Sequence, residues 1–236
     1  MTTHHCNDAV CTESATALQA TQRISGVTGV ILAGNRRLKA GCSTVLHTAM
    51  MVCSIRSMHR QLADIFQSVF LVTDSPELFE FLPCRKVPEL FAGRGDLAGI
   101  HAGLYHSATE CIFAVACDMP NLNSGLIRHI VSRGSAGGVL VPEGPFGFEP
   151  LHAVYGRGCL AALEVSLLKG EQHIALFFER CNVNKINQAE VAGHDPAFDS
   201  FRTITAPNDY FRLRNGAAEA GKTEEHSDEE DIRAVS

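Results

Sequence analysis

Seven consecutive apolar residues, Cys111-Ile112-Phe113-Ala114-Val115-Ala116-Cys117, run without interruption into Asp118-Met119-Pro120. No other stretch constrains the fold as strongly. An unbroken apolar run of strand length marks a strand buried on both faces, and two-sided burial belongs to parallel sheets covered by helices. A carboxylate that follows such a strand directly is carried to the carboxyl edge of the sheet, where open α/β sheets bind ligands.

The rest of the body agrees with this reading. Gly26 to Leu32, Val69 to Val72, Lys86 to Pro88, Gly138 to Val141 and Pro150 to Tyr155 read as further strands. Between them lie helical patterns: Met50 to Phe66, a short helix from Pro76 to Phe81, Leu97 to Ser107, Asn123 to Ser132, Cys159 to Leu168 and His173 to Arg180. Strand and helix alternate, which predicts a three-layer αβα sandwich with a mostly parallel central sheet joined by right-handed crossovers. Residues 26–214 read as one domain without repeats or linkers. Residues 1–25, polar and Thr/Ala-rich, read as a disordered leader. Residues 215–236 read as a disordered acidic tail, with seven acids against Lys222 and Arg233.

That tail accounts for most of the formal net charge of −6, so the body is close to neutral. No basic face is available for a phosphate backbone, and nucleic acid is excluded as the main partner. The chain has no Trp, and its 13 Phe outnumber its 3 Tyr, so aromatic burial rests on Phe and nothing speaks for stacking of single-stranded bases. The nine Cys contain no CxxC and no zinc-spaced quartet; they read as reduced, structural thiols. No apolar stretch is long enough to span a membrane, and no signal pattern opens the chain. The expected location is the cytoplasm.

Four segments carry candidate chemistry. Gly29-Val30-Ile31-Leu32-Ala33-Gly34 is a strand entering a small-residue turn, followed by Asn35, Arg36, Arg37, Leu38 and Lys39. Ala33 and Gly34 let backbone N–H groups approach a phosphate, and the basic residues add charge. The segment is neither GxGxxG nor GxxxxGK[ST], and by itself it fits a plain strand-turn with solvated basic residues equally well. Asp118 is placed to bridge a divalent metal to phosphates, since magnesium needs only one or two carboxylates beside phosphate oxygens. A turn cap before Pro120 is the competing role, and the clarity of the preceding strand favours the metal. The glycine-rich run from Gly93 to Gly103 serves either a nearby planar ligand or tight helix-on-sheet packing. In Glu149-Pro150-Leu151-His152-Ala153-Val154-Tyr155, His152 fits a structural histidine better than a substrate contact.

Taken in order, these segments resemble the bacterial molybdenum cofactor guanylyltransferases, a branch of the Rossmann-like nucleotidyltransferases. The resemblance spans Thr28 to about Leu213. It rests on GVILAG from Gly29, GRGDLAGIHAGL from Gly93, VACDMP ending at Pro120, EPLHAVY from Glu149, and the run Phe201 to Tyr210 in place of the family's closing Asn-Ile-Asn-Thr-Pro-Glu-Asp. The resemblance implies transfer of GMP from GTP to molybdenum-bound molybdopterin, with Mg2+ as cofactor and with molybdoenzymes or their chaperones as recipients. It places Leu32, Ala33 and Gly34 around the nucleotide, with Thr73 and Glu89 as further contacts. Arg36 and Arg37 neutralise phosphates, Arg37 as a catalytic residue, and Asp118 is both catalytic and the metal ligand.

The sequence also departs from the family pattern. Asn35 replaces a second glycine, the slot of the loop lysine holds Cys42 or Thr44, and Thr203 and Thr205 stand where two Asn are usual. Those departures point to an alternative: a catalytically impaired paralogue that binds nucleotide or molybdopterin cofactor and hands it to a partner protein. Transfer of a different nucleotide, such as cytidylate, is a further alternative, because base selectivity cannot be read from these segments.

Overall fold

The computed structural model describes residues 22–34 and 45–204. Eight strands build one sheet: β1 (Val27–Leu32), β2 (Val69–Val72), β3 (Arg85–Val87), β4 (Cys111–Ala116), β5 (Val139–Gly144), β6 (Gly147–Phe148), β7 (His152–Gly156) and β8 (Val183–Ile186). Six helices accompany them: α1 (Val45–Ile65), α2 (Asp96–His106), α3 (Ser124–Arg133), α4 (Leu160–Leu168), α5 (Ile174–Phe178) and α6 (Gln188–His194). The strands lie in the order β3-β2-β1-β4-β7-β5-β6, with β8 paired to β5.

β1 is central and parallel to both neighbours, with Leu32 opposite Val72 of β2 and Ala116 of β4. β3 continues the parallel block on β2, where Val72 faces Val87. β7 runs antiparallel to β4 and β5, whereas β5 and β8 are parallel. The sheet is therefore mixed and mostly parallel.

Strand alternation sorts side chains to two helical layers. A Cβ added at Gly103 of α2 would meet Ile112 and Val30, and one at Gly99 would meet Leu32, so the even positions of β1 face α2. The odd positions face the other way: a Cβ at Gly29 would lie 2.8 Å from the ring of Phe66, just past α1. Phe66 in turn stacks on Phe113 of β4, with ring centroids 5.9 Å apart, which is why position 29 has no side chain. Every residue of β4 is buried, as its apolar run requires.

The elements follow the sequence pattern closely, with several differences. α1 begins at Val45, five residues before the apolar periodicity shows it. The helix after Pro76 is a single 3-10 turn, Pro76–Phe79. The helix expected from His173 to Arg180 is confined to Ile174–Phe178. β6, β8 and α6 were not expected, and β7 is antiparallel although the alternating pattern pointed to parallel strands.

Candidate functional site

The parallel register brings the ends of four strands to one edge. Beyond the aligned residues Leu32, Val72, Val87 and Ala116 come Ala33-Gly34, Thr73-Asp74, Pro88-Glu89 and Cys117-Asp118. Backbone hydrogen bonds tie these turns together past the last ladder pair. The N–H of Ala33 donates to the Val72 carbonyl at 2.9 Å, that of Thr73 to the Val87 carbonyl at 2.9 Å, and that of Cys117 to the Leu32 carbonyl at 3.1 Å. Five of the residues expected from the sequence, Ala33, Gly34, Thr73, Glu89 and Asp118, thus share one edge, with Leu32 at the end of the central strand.

Glu89 lies over the β1 turn. A Cβ at Gly34 would come within 2.8 Å of its Oε1, and one at Gly99 within 3.8 Å. Any side chain at position 34 would displace the carboxylate. The Glu89 N–H donates to Oδ1 of Asp74 at 3.2 Å, so the β2 turn positions the segment that carries Glu89. Thr73 is 2% exposed, and its Oγ1 accepts the N–H of Ser75 at 3.2 Å. That hydroxyl shapes the turn as it enters the edge.

α2 packs antiparallel to β1: Gly99 lies beside Leu32 at the carboxyl edge, and Gly103 beside Val30 further down. The N-terminus of α2 therefore points to the same edge as Glu89 and Gly34, and the helix dipole favours negative charge there. Gly93 and Gly95 just before it have φ of 76° and 69°, a left-handed conformation that glycine adopts without strain. Of the two readings of this glycine-rich run, packing explains Gly103, and Gly99 both packs on Leu32 and borders Glu89.

Asp118 is half-buried at the end of β4. Its backbone carbonyl accepts the N–H of Ile204 at 2.8 Å, which brings the closing segment against this strand end. Asp195, 5% exposed, holds the approach to that segment by accepting the N–H groups of Asp199 at 3.2 Å and Ser200 at 2.8 Å. Arg36, Arg37 and Lys39 lie outside the described residues, as do residues 1–21 of the leader, Thr205 with the rest of the closing run, and the acidic tail. Among the described residues, no group of three or more His, Cys, Asp or Glu is arranged to hold a metal ion, and no helix is long and apolar enough to cross a membrane.

Two groups beside this edge gain significance only from the fold. β7 starts here because it runs against β4, with the Ala116 N–H donating to the Leu151 carbonyl at 3.1 Å. Glu149, half-buried next to Gly144 and the Phe201 ring, has its carboxyl raised to about 7 by burial. His152 is fully buried, with edge-to-face contacts to Phe113 at 5.0 Å and Phe201 at 5.3 Å. Burial lowers its pKa to about 4, against the opposing pull of Asp195. The sequence marks Glu149 only as the first letter of a motif. Asp74 and Asp195 carry no local signal beyond turn-forming neighbours.

A mostly parallel sheet that gathers small-residue turns, a helix N-terminus and the carboxylates of Asp74, Glu89 and Asp118 at one edge has the architecture of a nucleotidyltransferase. The chain belongs to the MobA-like NTP transferase domain family, whose model matches residues 29–184. It is 32% identical over 187 residues to a probable molybdenum cofactor guanylyltransferase of Pelotomaculum thermopropionicum, covering 79% of this chain and 91% of the relative. It is also 32% identical over 211 residues to the molybdenum cofactor guanylyltransferase of Desulfosudis oleivorans, covering 84% of this chain and 99% of that one. The fold matches the molybdopterin-guanine dinucleotide biosynthesis protein A of Archaeoglobus fulgidus with a TM-score of 0.65 at 22% identity, over 82% of this chain and 100% of that one. The 2-C-methyl-D-erythritol 4-phosphate cytidylyltransferase of Thermus thermophilus shares the fold more distantly, with a TM-score of 0.54 at 13% identity over 80% of this chain and 97% of the other.

Proposed function

We propose that this chain transfers GMP from GTP to molybdenum-bound molybdopterin, releasing pyrophosphate. One observation carries the reading: the parallel register sets Gly34, Thr73, Glu89 and Asp118 at the ends of four adjacent strands, in a chain whose near-full-length relatives carry the guanylyltransferase name. In the reaction a phosphate oxygen of the acceptor attacks the α-phosphorus of GTP. The bond from that phosphorus to the oxygen bridging the β-phosphate breaks, and pyrophosphate departs with the electron pair.

The chain's contribution is positioning and charge neutralisation. Leu32, Ala33 and Gly34 form the floor for the nucleotide, and the missing Cβ at position 34 makes room for the Glu89 carboxylate over the turn. Glu89 and Thr73 line the same edge as nucleotide contacts, and the N-terminus of α2 adds its dipole. Arg37 is assigned to the β- and γ-phosphates, and Arg36 supports it. Asp118 offers a hard carboxylate oxygen at a strand end, a donor suited to magnesium, which completes its shell with phosphate and water oxygens. When bound, magnesium supplies neutralisation of the charge that develops on the transferred and departing phosphates. We place the reaction in the cytoplasm, with molybdoenzymes or their chaperones as recipients of the product.

A second reading is favoured by the loop itself, since the lysine slot holds Cys42 or Thr44. On this reading the chain binds nucleotide or cofactor and delivers it without turnover. Calorimetry with GTP, CTP and ATP, in magnesium and then in EDTA, followed by a pyrophosphate-release assay with molybdopterin, separates the two. Selective, magnesium-dependent GTP binding with pyrophosphate release is the expected result. Binding without release would replace the enzyme by the carrier, and preferential turnover of CTP would reassign the transferred nucleotide.

A further inference from the structure

The strand order divides the reactive edge into two flanks. Asp118 follows β4, and the turns of β1, β2 and β3 that carry Gly34, Thr73 and Glu89 lie on one side of it. On the other side come β7, then β5 with β6 and β8. β5 is antiparallel to β7, which is antiparallel to β4, so β5 runs with β4 and ends at the same edge. The hairpin from β5 to β6 therefore turns at Pro145-Phe146 beside this edge, two strand spacings, or about 10 Å, from β4. Its base is tied to Asp118 by the closing segment. A Cβ at Gly144 would lie 3.0 Å from the Phe201 ring, and the Ile204 N–H that follows donates to the Asp118 carbonyl at 2.8 Å.

Phe146 at the tip is 101% exposed, so folding buries none of its apolar area and gains nothing from the ring. It does not stand alone. Phe148 is 40% exposed, and the Lys185 ammonium sits 4.4 Å from the centre of its ring. Lys185 reaches this position because β8 pairs with β5, where it lies opposite Val141. An exposed aromatic ring and a held cation thus share one hairpin at the reactive edge. We propose that the β5–β6 hairpin is the acceptor subsite of the transferase: Phe146 stacks on the planar pterin of the acceptor, and Lys185, held over Phe148, offsets part of the acceptor's negative charge.

The inference rests on the guanylyltransferase reading and names the surface that receives its second substrate. Two arguments carry it. Displacement at phosphorus brings the attacking and leaving oxygens roughly into line. The nucleotide lies on the flank of β1 to β3, and Asp118 stands at the transferred phosphate, so the attacking phosphate enters from the flank of β7 and β5. The second argument is reach and chemistry. The acceptor phosphate is joined through a methylene to a fused ring system that ends in a planar pterin. With that phosphate near Asp118, the pterin extends about as far as β5, some two strand spacings or about 10 Å away. A planar heterocycle finds a stacking partner in Phe146, and an anionic ligand finds a cation in Lys185.

The test is calorimetry of the full chain with molybdopterin under nitrogen and, separately, with GTP in magnesium. Phe146→Ala should bind molybdopterin about tenfold more weakly, with GTP affinity and Tm constant. Phe146→Tyr should keep the affinity and Phe146→Leu should lose it, since only tyrosine retains a ring. Lys185→Ala should weaken binding and reduce its dependence on salt. Unchanged molybdopterin affinity in Phe146→Ala would overturn the subsite and leave the guanylyltransferase standing. An equal loss of GTP affinity would place Phe146 on the nucleotide and overturn it too. No molybdopterin binding by the wild-type chain would overturn both the subsite and the reading beneath it. If Phe146→Ala binds molybdopterin normally but breaks a wild-type dimer in size-exclusion chromatography, the hairpin belongs to a contact between copies instead.

Discussion

Glu149 and His152 stand three residues apart at the entrance to β7, and burial moves them in opposite senses. The His152 pKa falls to about 4, so its contribution to stability is complete above 6.5 and is lost as pH falls from 6.5 to 4. That shift corresponds to about 3 kcal/mol. The Glu149 pKa rises to about 7, so its contribution is complete below 4.5 and is lost as pH rises through 7. Because Glu149 keeps partial contact with solvent, screening reduces its share to about 1 kcal/mol. His152 therefore prevails, and urea midpoints should climb between pH 4 and 6.5. His152→Leu should flatten that climb, and equal wild-type midpoints at pH 4.5 and 6.5 would contradict the assignment. Glu149→Gln should add about 1 kcal/mol at pH 8 and nothing at pH 4. At the strand end next door, Asp118→Ala should abolish magnesium-dependent GTP binding in calorimetry with Tm preserved; unchanged affinity would remove Asp118 from the metal role.

At the level of elements, α2 shows packing outweighing propensity. Alanine is favoured over glycine in a helix by about 1 kcal/mol. Yet a Cβ at Gly103 would lie 2.8 Å from Ile112 Cδ1 and 3.2 Å from Val30 Cγ1, both in the closed core. Overpacking of that kind costs about 1–3 kcal/mol, so Gly103→Ala should lower the urea midpoint, and a gain in stability would show that β1 and β4 yield. The elements that local pattern conveyed are those with strong periodicity, β1, α1, β2 and β4 among them. The direction of β7 was legible in a subtler form: eight residues separate Val141 from Pro150, too few for a parallel crossover. α6 also had a signal, since Asn187 caps it by accepting the Glu190 N–H at 2.9 Å while its Nδ2 donates to Glu190 Oε1. β8 had almost none, because Asn184 and Lys185 are exposed and only Ile186 is fully buried.

Among the described residues one sheet carries the core, and residues 215–236 hold seven acids but only Ile232 and Val235 as large apolar side chains. Removing residues 215–236 should change Tm by less than about 2 °C. A larger drop in differential scanning calorimetry would mean that the tail docks on the body.

By itself the sequence determined the segments of β1 to β5 and β7, that β4 is buried on both faces, and that Asp118 stands just beyond it. These follow from local alternation and apolar run length, which depend on neighbours along the chain. Only the tertiary structure decided that Gly34, Thr73, Glu89 and Asp118 share one edge, that Glu89 lies over Gly34, and that Glu149, His152 and Phe201 meet beside them. Such contacts depend on strand order and register. Those are settled by burying two faces of a sheet against helices distant in the chain, and local pattern does not encode that pairing.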